Sequence, residues 1–285
     1  MRIPRPLDLH PSRPAIILAL VVSLACPGCA PGPTGSLVVI DPVLPYLSPE
    51  AARDFRASAA AWVELPAESP SAALYAALDQ RKPASVILTP LLAGEATTVL
   101  GTDPALLVGT FGGGTATDAE RSYVARFDPI DAASIGGDLV GRIMADREKA
   151  GTGGIAAGVF AGDGAVARAE AFVAAYARAG GPGEPVVETT DGEYSGPAAA
   201  RLRSLDVACA YFAAPPKDLT RWLREALDPA SFAVAETPFA GDGPALGVGA
   251  SVTWDIRATV AAMRERMDSR RSGAFPGLWT AVAGP

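Results

Sequence analysis

Ten side chains in this sequence have the types that recognise a small molecule: Asp41, Thr89, Phe111, Phe127, Asp128, Asp163, Tyr211, Glu236, Ser251 and Trp254. Carboxylates accept hydrogen bonds from hydroxyls and amines, hydroxyls donate and accept, and aromatic faces stack on rings. The ordinary alternative for each is a helix cap or a packing side chain. Catalytic chemistry is less well supported. Asp128 with Asp131, or Asp163 with Glu236, has the groups of a carboxylate-dependent glycosidase. The chain holds 31 acidic residues, however, so such pairs arise by chance. The single histidine, His10, lies in the N-terminal segment, which leaves the remainder without a histidine triad or a histidine metal ligand. Cys209, within D-V-A-C-A-Y-F, reads as a core residue. Gly112-Gly113-Gly114 has the backbone for a phosphate cradle but lacks the Lys-Ser/Thr spacing of a Walker motif, and it reads as a loop. The sequence predicts no enzyme, no cofactor and no metal.

These ten residues share a position: each stands at or near the end of a short apolar run that reads as a buried strand. Leu37 to Ile40 precedes Asp41, and Ser85 to Leu88 precedes Thr89. Further runs are Ala61 to Leu65, Pro104 to Thr110, Ile155 to Phe160, Val186 to Thr189, Val207 to Phe212, Phe232 to Glu236, Leu246 to Val252 and Pro276 to Val282. Helical patterns separate them. Ser48-Pro49 and Ser69-Pro70 have the form of an N-cap followed by proline in the first turn. Leu74 and Leu78 share a face, as do Ile135, Leu139 and Ile143. Ala169, Phe172, Val173 and Tyr176 form a stripe ended by Gly180-Gly181. Leu219, Trp222, Leu223 and Leu227 form another, and Ile256, Val260, Met263 and Met267 follow an expected cap at Asp255. Strands alternating with helices imply parallel sheets with both faces covered, and in such sheets ligands bind beyond the carboxyl ends of the strands.

The N-terminus has a separate logic. Arg2, Arg5 and Arg13 precede the apolar run Ala15 to Ala25, which is short for a bilayer span and bracketed by Pro11, Pro14 and Pro27. Residues 1–25 are expected to be a signal peptide. Their removal takes away three Arg and one Asp, shifting the net charge from −7 to −9. An acidic chain without a basic cluster argues against nucleic acid as a partner. The S-L-A-C segment ending at Cys26 resembles a bacterial lipobox, although Ser23 stands where Leu is usual and Leu24 is one place late. That resemblance implies a lipid on Cys26, a Pro/Gly-rich tether over residues 26–36, and a chain secreted across the inner membrane and held at the periplasmic or cell surface by its anchor.

From Arg126 to Gly181 the order of parts resembles the type I periplasmic solute-binding proteins, the ribose-binding and LacI-like group. The matching pieces are Asp128, a helix carrying Gly136-Gly137, the strand Gly154 to Phe160, and Arg168 followed by Ala171-Phe172. The later segment G-V-G-A-S-V-T-W-D resembles the return crossing of the same family, particularly its basic-membrane-protein branch of nucleoside-binding lipoproteins. The sequence departs from the family in placing Pro129 after Asp128 and in having no asparagine anywhere. The resemblance implies two doubly wound α/β lobes joined by a hinge of three crossings, near Arg126, Thr253 and Gly273. The expected lobes are residues 37–125 with 254–272, and 126–253 with 273–285. It further implies a monomer that binds a small polar solute, sugar- or nucleoside-like, between the lobes and presents it to an ABC permease. Asp41, Thr89, Phe111, Asp128, Asp163, Tyr211, Glu236, Ser251 and Trp254 are the expected contacts. A relative that has lost its ligand and serves a sensory or structural role is the alternative.

Overall fold

The computed structural model describes residues 34–112, 120–237 and 248–283. The first sheet contains β1 (Thr34–Ile40), β2 (Ala61–Glu64), β3 (Pro83–Leu88), β4 (Leu107–Phe111), β5 (Ser122–Arg126) and β11 (Gly273–Pro276). Its order is β11-β5-β4-β3-β1-β2, with every pairing parallel. The second sheet contains β6 (Ile155–Ala161), β7 (Val186–Thr190), β8 (Val207–Ala213), β9 (Phe232–Glu236), β10 (Ala250–Trp254) and β12 (Trp279–Ala283). Its order is β12-β10-β9-β8-β6-β7, parallel except where β12 runs against β10. Both sheets belong to one compact unit, residues 33–285.

The helices are α1 (Leu44–Leu47), α2 (Pro49–Ala57), α3 (Pro70–Arg81), α4 (Ala96–Leu100), α5 (Pro129–Lys149), α6 (Ala165–Arg178), α7 (Gly196–Ser204), α8 (Pro216–Ala226) and α9 (Ile256–Asp268). Successive strand residues point to opposite faces, so each sheet has two cores. In the first, Val38, Ile40 and Ile87 meet Phe55 of α2 and Ile256, Val260 and Met263 of α9. Leu37, Val39, Val86 and Leu88 meet Leu74 and Leu78 of α3 on the other face. In the second, Phe160, Cys209, Tyr211 and Val234 pack with Val140 of α5 and Phe172 of α6. Val159, Ala210 and Phe212 pack with Leu202 of α7 and Leu219 and Trp222 of α8. Cys209 is free and fully buried, and burial pushes its thiol up to about 12, against the opposing charge of Arg147. It is an inert core residue.

Several local signals act as the sequence indicated. Ser48 accepts from the Ala51 amide and Asp255 from the Ala258 amide, each at an N-cap. Ser69 occupies the expected position before α3 but makes no side-chain cap.

Three expectations change. On α5 the fully buried positions are Ala132, Ala133, Gly136, Gly137, Val140, Gly141 and Met144, while Ile135, Leu139 and Ile143 are half-buried at the flanks. A Cβ at Gly137 would collide with the carbonyl oxygen of Phe172, so α5 and α6 approach more closely than larger residues permit. The crossing expected near Gly273 falls later: Gly273–Pro276 forms β11 beside β5 in the first sheet, and the chain crosses at Gly277-Leu278. The last strand is therefore Trp279–Ala283, without Pro276.

Candidate functional site

Three crossings join the sheets, and all leave from carboxyl ends. β5 leads through Phe127 and Asp128 into α5, β10 leads through Asp255 into α9, and β11 leads through Gly277 and Leu278 into β12. The crossings bond to one another. The Gly277 amide donates to the Arg126 carbonyl at 2.7 Å, the Asp255 amide to the Leu278 carbonyl at 2.7 Å, and the Leu278 amide to Thr259 Oγ1 at 3.0 Å. Each crossing also supplies an aromatic ring. Phe127 and Trp254 stack with centroids 4.1 Å apart and planes 14° apart, and Trp279 meets them edge-on at 5.7 and 6.3 Å. Phe111 joins the group, 5.9 Å from Phe127 and 4.9 Å from Phe55. Offset and edge-to-face contacts of this kind stabilise beyond their area burial by about 0.5–1.5 kcal/mol each. The structure thus shows an aromatic clasp at the hinge where the sequence suggested rings open to a ligand. Phe111 is a core residue at 1% exposure, and one face of Trp254 is covered by Phe127.

The expected polar contacts separate into three groups. Asp41 and Thr89 are both buried and bond to each other. Thr89 Oγ1 donates to Asp41 Oδ2 at 3.0 Å and accepts from the Asp41 amide at 3.1 Å. Asp41 Oδ1 accepts from the Val43 and Leu44 amides at 2.9 and 2.8 Å, which fixes the start of α1 against the end of β1. Ser251 is likewise buried, inside the β10 pairing. Asp128 and Asp163 are exposed. Asp128 caps α5, accepting from the Ile130 amide at 2.9 Å. Asp163 does not cap α6, because Gly164 holds that position in the left-handed conformation. Instead Asp163 borders a hollow of about 390 Å³ at the ends of β6 and β7, together with Thr190 and Asp191.

Tyr211 and Glu236 form the third group, in the second lobe. Tyr211 Oη donates to Glu236 Oε2 at 2.8 Å. The ring of Tyr211 stacks on Phe172 at 5.5 Å and occupies the space that Gly136 leaves open. Burial raises the Glu236 carboxyl above its ordinary range, partly offset by the Tyr211 bond and the nearby charge of Arg168. Burial, then the Glu236 charge, carries the Tyr211 phenol well above its ordinary value. Arg168 is itself buried at the start of α6, donates to the Ala161 carbonyl at the end of β6, and leaves Nε without a partner. It ties down the strand end, and its charge offsets part of the effect of burial on Glu236.

Sequence reasoning passed over one set of residues. Tyr46 and Leu47 on α1, and Leu91 beyond β3, stand exposed beside the Asp41–Thr89 bond. The signal was present as an apolar stretch, V-L-P-Y-L, lying between a strand end and a helix cap. Gly113, Gly114, Leu246 and Cys26 lie outside the described residues. A larger hollow, about 470 Å³, is lined by Tyr75, Asp79, Lys82 and Asp103 at the amino ends of β3 and β4, away from the crossings. Among the described residues no cluster of three His, Cys, Asp or Glu side chains suits a metal, and no helix is long and apolar enough to cross a membrane.

No protein-family model matches the chain, and no curated protein matches it. Solved structures do. A solute-binding protein of an ABC transporter system from Aeropyrum pernix K1 aligns over 88% of this chain and 76% of its own, with 17% identity and a TM-score of 0.51. A transcriptional activator of the comK gene from Bacillus halodurans aligns over 88% and 90%, with 15% identity and a TM-score of 0.55. These neighbours are a binding protein and a transcription regulator. Two six-stranded, mostly parallel sheets, three crossings at their carboxyl ends and these alignments lead to one conclusion: the chain has the type I periplasmic binding protein fold.

Proposed function

We propose that this protein captures a small solute between its two lobes as an extracytoplasmic lipoprotein, and delivers it to an ABC-type permease. The observation that carries this reading is the placement of all three crossings at carboxyl ends of the two sheets, with the aromatic clasp among them. That arrangement directs the strand ends of both lobes toward a common hinge, where closure around a ligand is a matter of small backbone rotations. Anchoring rests on the sequence alone, through Cys26. The function requires no chemical step, and no acid–base pair is asked of Asp128, Asp163 or Glu236.

Trp254 and Trp279 at the hinge serve as reporters. Titration with a solute panel is expected to change tryptophan fluorescence and raise the melting temperature, by about 2.7 kcal/mol of added stability at a hundredfold excess over Kd. Absence of any response across sugars, nucleosides and small amines would favour the second reading, a non-binding relative with a sensory or structural role. The mutual engagement of Asp41 with Thr89 and of Phe127 with Trp254 is what keeps that reading in view. Cys26→Ala is expected to release the protein from membranes; retention after a carbonate wash, with residues 1–25 uncleaved, removes the lipoprotein assignment.

A further inference from the structure

Ten large apolar side chains are exposed among the described residues, and their distribution is uneven. Seven lie beyond carboxyl ends of strands. Val43, Tyr46 and Leu47 follow β1, Leu91 follows β3, Ile130 follows β5, Val166 follows β6, and Leu278 follows β11. Only Ile155 marks an amino end, while Trp62 and Val282 sit on the edge strands β2 and β12. Scattered exposed apolar residues need no explanation, but a concentration on one functional side of a fold does. Tyr46 is 85% exposed, Val166 64% and Leu91 57%. The Asp41–Thr89 bond joins the ends of the neighbouring strands β1 and β3, so the α1 residues and Leu91 rise from adjacent points of the first lobe.

Asp163, Thr190 and Asp191 border the ends of β6 and β7, but on the first-lobe ends from which Tyr46 and Leu91 rise the polar side chains are few and occupied. Asp41 and Thr89 satisfy each other and two backbone amides, and Glu64, at the end of β2, pairs with Arg56. A free monosaccharide needs a donor or acceptor for nearly every hydroxyl, and the described ends of β1, β2 and β3 present none that is unengaged. They present instead an aromatic face and branched aliphatic groups. On the second lobe, Glu236 has one oxygen bonded to Tyr211 and stands half-buried at the end of β9.

We propose that the solute is a ring compound with an extended apolar or aromatic face and one or two hydrogen-bond donors, held by Tyr46, Leu47 and Leu91 from the first lobe and oriented by Glu236 from the second. This rests on the solute-binding reading and narrows it. Tyr46 supplies a stacking face, the aliphatic groups cover the ring edge, and Val166 closes from the opposite lobe. Glu236 accepts from the ring's amine or hydroxyl.

Calorimetric titration of the whole mature chain with phenol, tyramine, indole and adenosine, against glucose, ribose and xylose, tests it. At least one ring compound is expected to bind with a negative heat-capacity change, the mark of apolar burial. Tyr46→Ala is expected to weaken it tenfold or more, and Leu91→Ala severalfold, while Ile155→Ser, an equally apolar change at the amino end of β6, leaves it unchanged. Sugars binding with no ring compound doing so overturns the ring assignment and keeps the solute site. Binding of a ring compound that Tyr46→Ala and Leu91→Ala leave intact overturns the placement, and with it the inference. No binding in either class overturns both readings. A wild-type dimer by sedimentation that Tyr46→Arg dissociates assigns the apolar ends to an interface between copies, and likewise overturns the proposal.

Discussion

Each lobe carries a carboxylate that accepts a hydrogen bond from a hydroxyl on the neighbouring strand, and the two pairs differ in what else surrounds them. In the first lobe Thr89 Oγ1 donates to Asp41 at 3.0 Å; in the second Tyr211 Oη donates to Glu236 at 2.8 Å. Asp41 also receives two backbone amides from the turn into α1, so both of its oxygens are engaged at 2% exposure. Glu236 receives the phenol alone, beside the buried guanidinium of Arg168, and its carboxyl is raised. Burial of a charge is stable when hydrogen bonds replace the lost water and costly when they do not. The difference teaches that Asp41 is a structural lock while Glu236 is only partly satisfied by its partners.

The largest expected effect comes from removing the lock. Asp41→Ala leaves the Thr89 hydroxyl and two turn amides without their acceptor, and urea unfolding is expected to show a loss of about 3 kcal/mol. Asp41→Asn, which keeps one carbonyl acceptor, is expected to lose less. Equal losses for the two variants would show that a single carbonyl acceptor does not preserve the lock. Tyr211→Phe comes next, with an expected cost of about 1–2 kcal/mol at neutral pH, because Glu236 is then left without its donor. That cost shrinks in acid, where the protonated carboxyl no longer needs it.

The smallest and most diagnostic effect is the pH dependence of Glu236. A carboxyl raised in the folded state binds its proton more tightly folded than unfolded. Its contribution to stability is therefore present below the ordinary carboxylate value of 4.5 and is lost as pH rises through the folded-state value. Glu236→Gln is expected to gain on the wild type across that window and to run parallel to it below. A wild type that gains on Glu236→Gln with rising pH would show that the Tyr211 bond and Arg168 outweigh burial.

Nothing in the sequence distinguished Asp41 from Glu236. Both follow a short apolar run, and each acquires its hydroxyl partner from 48 and 25 residues away respectively. The same limit explains α5. Helical spacing picked out Ile135, Leu139 and Ile143, but the close approach of α6 places the smallest residues at the centre of the contact and moves the larger ones to its edges. The four residues of β11 are too few for a pattern, and only pairing with β5 defines them as a strand. The aromatic residues were correctly seen at strand ends, yet Phe127 and Trp254, far apart in the chain, turned out to stack on each other. Tyr46 was overlooked because an exposed tyrosine in a four-residue helix leaves no periodic trace.

By itself the sequence determined the alternation of strand and helix, the parallel sheets that follow from it and the caps at Ser48 and Asp255. Those features depend on residue spacing and on backbone amides within a few positions, which are local and therefore readable along the chain. Only the tertiary structure decided which sheet β11 joins, which carboxylate is locked and which aromatic faces are covered. Each of these depends on what a distant segment brings within hydrogen-bond or van der Waals range, and residue type alone does not encode that distance.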